Sequence, residues 1–101
     1  MKALMVHALL YREDDLILAH CLEFDLVAQG DTAEQAYHNL LDAIELQTEF
    51  VREQGDLDNL IQPAPVEYWQ MLAAAERFTP PANGWQLPSS VSAVECGLVD
   101  V

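Results

Sequence analysis

Short apolar runs of strand length fill the chain up to Gly30, and in the stretch that follows apolar positions recur at steps of three and four. The first run, Lys2 to Tyr11, places Leu4, Val6, Ala8 and Leu10 on one face of an extended strand and Met5, His7, Leu9 and Tyr11 on the other. Arg12-Glu13-Asp14-Asp15 is a polar break and predicts a hairpin turn. Leu16 to Leu22 predicts a second strand, Glu23-Phe24-Asp25 a short connection, and residues 26–29 a third strand that Gly30 ends. Together these make an antiparallel meander of three strands.

Gly30 tolerates the positive φ that a sharp turn can require. Asp31 or Thr32 can cap a helix, with Glu34 or Gln35 three residues on to complete a capping box in either register. The helix is predicted over about 32–54. Ala33, Ala36, Tyr37, Leu40, Ala43, Ile44, Gln47 and Val51 form its packing face. Glu34, His38, Asp42, Glu45, Glu49 and Glu53 form a second, acidic stripe, and Gly55 stands where a C-terminal cap belongs. A loop and the rigid Gln62-Pro63-Ala64-Pro65 connector lead to a second helix from Pro65 or Val66 to Phe78. Its packing face is Tyr68, Met71, Leu72 and Ala75, with Trp69 at the border. Pro80-Pro81 stops it, residues 79–88 are irregular, and Trp85 there needs a surface to pack on. In a last strand, Ser90 to Val99, Val91, Ala93, Glu95 and Gly97 alternate against Ser92, Val94, Cys96 and Leu98.

Charge narrows the function. The chain has 101 residues, 17 acidic and 4 Lys or Arg, for a net charge of -13. Such a surface repels phosphate, which argues against direct binding of nucleic acid or of an anionic membrane, and it attracts a basic protein. It also simply keeps a protein soluble. The length fits one domain with a modest core, for which assembly with a second copy is a common source of stability. No signal peptide or membrane-spanning run is visible, and Cys21 and Cys96 read as reduced, buried thiols; a cytoplasmic location is expected.

Four groupings bear on chemistry. Asp14, Asp15, Glu23, Asp25 and Asp31 crowd the strand region, and a Mg-dependent hydrolase needs carboxylates that converge; yet Asp14-Asp15 suits a turn and Asp31 a cap. His7, His20, Cys21 and His38 lack paired metal-ligand spacing, so histidines bonded to polar groups are the better reading. Neither cysteine has a neighbour that would activate a nucleophile. The acidic stripe of Asp42, Glu45, Glu49 and Glu53 is either a solvated face or a docking face for a basic partner.

The stretch from Ala19 to Leu46 resembles the HicB-like antitoxin superfamily. Gln29 to Thr32, Glu34, Ala36, Asn39-Leu40 and Ala43 to Leu46 match its pattern of strand, Q-G-D-T, x-E-x-A and N-L-x-x-A-I-E-L. The resemblance covers Met1 to about Phe50. It implies a partial RNase H-like β-β-β-α-β module without nuclease activity, which in the family blocks a small basic RNA-cleaving HicA toxin. On that frame residues 1–101 are one HicB-like domain, Ser90 to Val99 supplies the last strand, and residues 63–88 are an insertion. No DNA-binding segment follows, as in the solitary variants of the family.

The expectation is therefore an α+β fold, a two-layer β-β-β-α-(α)-β chain with an antiparallel sheet under one long helix. The expected function is a non-enzymatic module that binds a basic toxin-like protein and self-associates, with no cofactor and no metal. Tyr68, Trp69 and Trp85 would form an oligomer or ligand surface. The alternatives are a vestigial Mg-dependent hydrolase and a regulatory protein that binds a small molecule near those aromatic residues.

Overall fold

The computed structural model describes residues 3–55, 57–80 and 86–99. Lys2, at the start of the expected first strand, and Trp85 lie outside the described residues. The strands are β1 (Leu4–Glu13), β2 (Leu16–Cys21), β3 (Leu26–Gly30), β4 (Glu76–Phe78) and β5 (Val91–Val99); the helices are α1 (Ala33–Glu53) and α2 (Val66–Ala73). A 3-10 turn, Leu57–Leu60, separates the helices. One five-stranded sheet runs in the order β3-β2-β1-β5-β4, and the fold is α+β, as expected.

Alternation fixes the two faces of the sheet. Val6, Ala8 and Leu10 of β1, with Ile17, Ala19 and Cys21 of β2, pack against Ala36, Tyr37, Leu40, Leu41 and Ile44 of α1. On the other face Leu9 and Leu22 meet Tyr68, Trp69, Met71 and Leu72 of α2. The protein is thus layered helix, sheet, helix, where the two-layer expectation had left the second face uncovered.

The meander is antiparallel, with β1 and β2 joined through Asp14-Asp15 and paired from Glu13↔Leu16 to Ala8↔Cys21. The last strand departs from the expected antiparallel sheet: β5 joins β1 in parallel. Everything from β2 to β4 forms the crossover between them, which is the long connection that parallel neighbours require. A register shift between Leu4 and Met5 carries the β5 partner from Val91 to Ala93. That irregularity brings Val91 into the same core as Val94, Cys96 and Leu98, a placement strict alternation denies it.

The second helix is shorter than expected. It ends at Ala73, and Glu76–Phe78 is β4, antiparallel to β5 with Phe78 opposite Cys96. The free edge of β5 offers backbone partners to this segment, and such pairing overrides weak helical preference. The expected packing face of α2 is otherwise observed, with Tyr68, Trp69, Met71, Leu72 and Ala75 all against the second core.

The turn into α1 is built by close approach. Among the described glycines positive φ occurs at Gly55, at +73°, directly after the C-cap residue Gln54. Gly30 is required for space instead: a Cβ there would lie 2.6 Å from the Ala36 backbone nitrogen. The cap settles on Thr32, whose side chain accepts from the Gln35 N–H at 3.1 Å while Gln35 Oε1 accepts from the Asp31 N–H at 2.8 Å. Asn39 Nδ2 donates to the Gln29 carbonyl at 2.8 Å, adding a second tie between β3 and α1. Thr48 and Ser90, both buried, share a hydroxyl hydrogen bond of 2.7 Å that fastens α1 to the entry of β5.

Gly30→Ala therefore forces β3 and α1 apart. Chemical denaturation should show a loss of about 1–3 kcal/mol, the usual range for overpacking, whereas Gly55→Ala should act through backbone strain with no clash at its Cβ.

Candidate functional site

Two regions hold the residues that could carry function. The first is the outer side of α1. With 3.6 residues per turn, Asp42, Glu49 and Glu53 share one stripe, and Leu46 and Phe50 lie beside it on the next. All five are exposed, Leu46 at 68% and Phe50 at 51% of full accessibility. These apolar side chains belong to neither core. The sequence reading assigned them no face, although their four-residue spacing and their offset from the buried stripe were legible.

Glu45 has a different role from its acidic neighbours. Its Oε2 accepts the Ser89 N–H at 2.9 Å, and Arg52 Nη2 donates to Ser89 Oγ at 3.0 Å. The basic residue of the last helical turn is therefore engaged at the 86–89 segment, and among the described residues it forms no ion pair with Glu49 or Glu53. Asp42 lies 4.0 Å from His38 Nε2 across one turn. With Leu41, Leu87 and Pro88, Asp42 and Glu45 line a cleft of about 410 Å³. On the opposite flank of Phe50 a second cleft, about 530 Å³, is lined by Gln47, Phe50, Val51, Gln54, Asn59 and Gln62.

The second region is the α2 side of the sheet, around the β2–β3 connection. Glu23 accepts the His7 backbone N–H at 2.7 Å through Oε1 and the ring N–H at Nδ1 at 2.6 Å through Oε2. This leaves His7 Nε2 3.6 Å from Glu95 Oε2. His20, only 3% exposed, donates from Nε2 to Asp25 Oδ1 at 2.7 Å. Its Nδ1 lies 3.4 Å from the Tyr11 hydroxyl, and its ring meets the edge of Tyr68 at 4.6 Å between centroids. Trp69 packs edge-on to His7 at 5.8 Å and donates its Nε1–H to the Ala64 carbonyl at 3.1 Å. Tyr68 and Trp69, considered as a ligand or oligomer surface, are here engaged with their own protein's histidines.

The carboxylates weighed for hydrolysis are dispersed. Asp14 and Asp15 form the exposed hairpin turn, the Asp31 backbone is bonded by Gln35, and Glu23 and Asp25 hold different histidines. Among the described residues, no group of three or more His, Cys, Asp or Glu is placed to hold a metal ion. Nor, among those residues, is any helix long and apolar enough to cross a membrane.

His20 and Cys21 face opposite sides of the sheet, so the thiol lies in the α1 core and the imidazole in the α2 layer. Burial pushes the Cys21 and Cys96 thiols up from 9.0 to about 12, and the Tyr11 and Tyr37 hydroxyls from 10.0 to about 12. At neutral pH these are protonated, unreactive groups. Compared with known proteins, the chain matches no family model, no curated protein and no solved structure.

Glu23→Ala strips two donors of their acceptor at once, and a loss of about 1–3 kcal/mol in denaturant stability should follow. The buried thiols predict a pH dependence of definite sign. The unfolded chain releases their protons near 9.0, the folded one only near 12, so their contribution is full below pH 9 and is lost as pH rises from 9 to 12. Denaturation midpoints should fall over that window. A thiol reagent at pH 8 should label Cys21 and Cys96 only after unfolding; prompt labelling of the folded protein would contradict the burial.

Proposed function

We propose that this protein is a non-enzymatic, antitoxin-type binding module, akin to the HicB-like proteins that its first half resembles, and that its target is a small basic protein of the HicA-like, RNA-cleaving kind. The observation that carries this reading is the outer side of α1, where Leu46 and Phe50 are exposed next to Asp42, Glu49 and Glu53. Apolar side chains that become desolvated supply most of the affinity in protein interfaces. Charges at the rim steer the encounter and select the partner. A face with both features suits a partner that offers lysines or arginines around an apolar patch. With a net charge of -13, the same protein discourages phosphate. Histidines and carboxylates that are bonded to one another on the other side of the sheet agree with a role without catalysis. Self-association belongs to this reading too, since β3 is an edge strand of a small domain.

Surface plasmon resonance with a purified HicA-like toxin tests the proposal. Association should slow by on the order of tenfold between low and moderate salt. Charge reversal at Asp42, Glu49 and Glu53 should slow association, whereas Leu46→Ser should speed dissociation. Absence of any complex between the two purified proteins would overturn the proposal. Light scattering during gel filtration reads the self-association, and a monomer at every concentration would remove that part of it.

A further inference from the structure

The cleft beside Phe50 carries chemistry that the acidic stripe lacks. Primary amides line it: Gln47 and Gln54 from α1, Asn59 from the 3-10 turn and Gln62 from the connector that follows, with Phe50 and Val51 supplying the apolar part. Gln62 Nε2 donates to the Asn59 carbonyl at 3.1 Å, which leaves Gln62 Oε1 as an acceptor. The side-chain amides of Gln47 and Gln54 make no hydrogen bond among the described residues. Each primary amide offers both a donor and an acceptor. A polypeptide main chain in extended form presents the complementary pair at each residue. Round the helix the order is Gln47 and Gln54, then Phe50, then Leu46, then Glu53 and Asp42, then Glu49. Amide, apolar and acidic strips thus lie side by side.

We infer that this cleft seats an extended, basic segment of the protein partner, its main chain along the amides of Gln47, Gln54 and Gln62, an apolar side chain on Phe50, and a cationic side chain reaching past Phe50 to Glu53, its neighbour three residues on at the near edge of the acidic stripe. The inference rests on the reading of a basic protein target and says where and in what conformation that target is held. The charge pattern selects the occupant. A second copy of this chain would bring another acidic rim against the first, and a nucleic acid would bring phosphate. Alternation along an extended segment sends neighbouring side chains to opposite sides, so the preferred sequence interleaves basic with small or apolar residues.

Titration of the isotope-labelled full chain with a terminally blocked peptide of about seven residues, alternating lysine with leucine or serine, tests this by NMR. The side-chain amide resonances of Gln47, Gln54 and Gln62 and the Phe50 signals should shift. N-methylation of the peptide main chain should weaken binding about tenfold, the loss of about one net hydrogen bond to the amides. Phe50→Ser and Gln54→Ala, both at exposed positions, should each weaken it several-fold with the fold intact by circular dichroism. Shifts confined to the Asp42 and Glu45 cleft, with Phe50→Ser and Gln54→Ala binding like the parent, would overturn the inference and leave the basic-partner reading standing. Equal binding of a peptide with glutamate for lysine would overturn both. No shift at millimolar lysine peptide would overturn the inference, while the toxin-binding measurement judges the wider reading separately.

Discussion

The connection from Leu22 to Asp25 holds the molecule's second face together, and it does so through one carboxylate. Glu23 takes both the main-chain and ring N–H groups of His7, so β1 is fixed to the end of β2 by a side chain where the ladder has run out. Leu22 and Glu23 also bond outward along their backbone. The Leu22 N–H goes to the His7 carbonyl, the Leu22 carbonyl accepts from Ala64, and the Glu23 carbonyl accepts from Gln62. The connector that delivers α2 is therefore stitched to the loop, and α2 is laid over the sheet by that attachment as much as by its own short apolar face. Gly97 completes the fit from β5, since a Cβ there would lie 2.8 Å from Leu72 Cδ1. Removal of the Glu23 carboxylate leaves two donors seeking a new acceptor in a partly buried layer, where unmade hydrogen bonds cost most.

That layer explains the fate of the residues with chemical potential. Histidine beside carboxylate is a common catalytic pairing, but here each imidazole is engaged from more than one side. His20 is closed in by Asp25, Tyr11 and Tyr68, while His7, held by Glu23 with Glu95 and Trp69 beside it, is partly exposed. The thiols meet the opposite condition, apolar burial on the α1 side, which favours their neutral form. Polar pairing orients the histidines on one face, and desolvation keeps the thiols protonated on the other.

The outer side of α1 is left with what the two cores do not use. Burial of Ala36, Tyr37, Leu40, Leu41, Ile44, Thr48 and Val51 consumes one side of the helix. Arg52 is drawn to Ser89, so the acidic stripe keeps its charge, and Leu46 and Phe50 are exposed against it. An apolar strip bordered by carboxylates on one flank and amides on the other is the physical basis for reading this face as a place where a cationic protein is held.

Local rules determined much of this by themselves. Period-two alternation defined the meander, period-three-and-four recurrence defined α1, and the cap candidates Asp31 and Thr32 at one end and Gly55 at the other marked its ends to within a residue, the choice of Thr32 being left to the structure. That His7 and His20 would be bonded to polar groups was also legible from their lack of ligand spacing. Tertiary structure alone decided the rest. The parallel docking of β5 on β1, the irregularity that seats Val91 and the conversion of Glu76–Phe78 into β4 all depend on a free strand edge far away in sequence. Which carboxylate would meet which histidine, and that Gly30 serves close approach instead of positive φ, likewise depend on contacts between distant elements. Periodicity reports which side of an element is apolar; it does not report which neighbour will cover that side, because the neighbour is chosen by the summed packing of the whole chain.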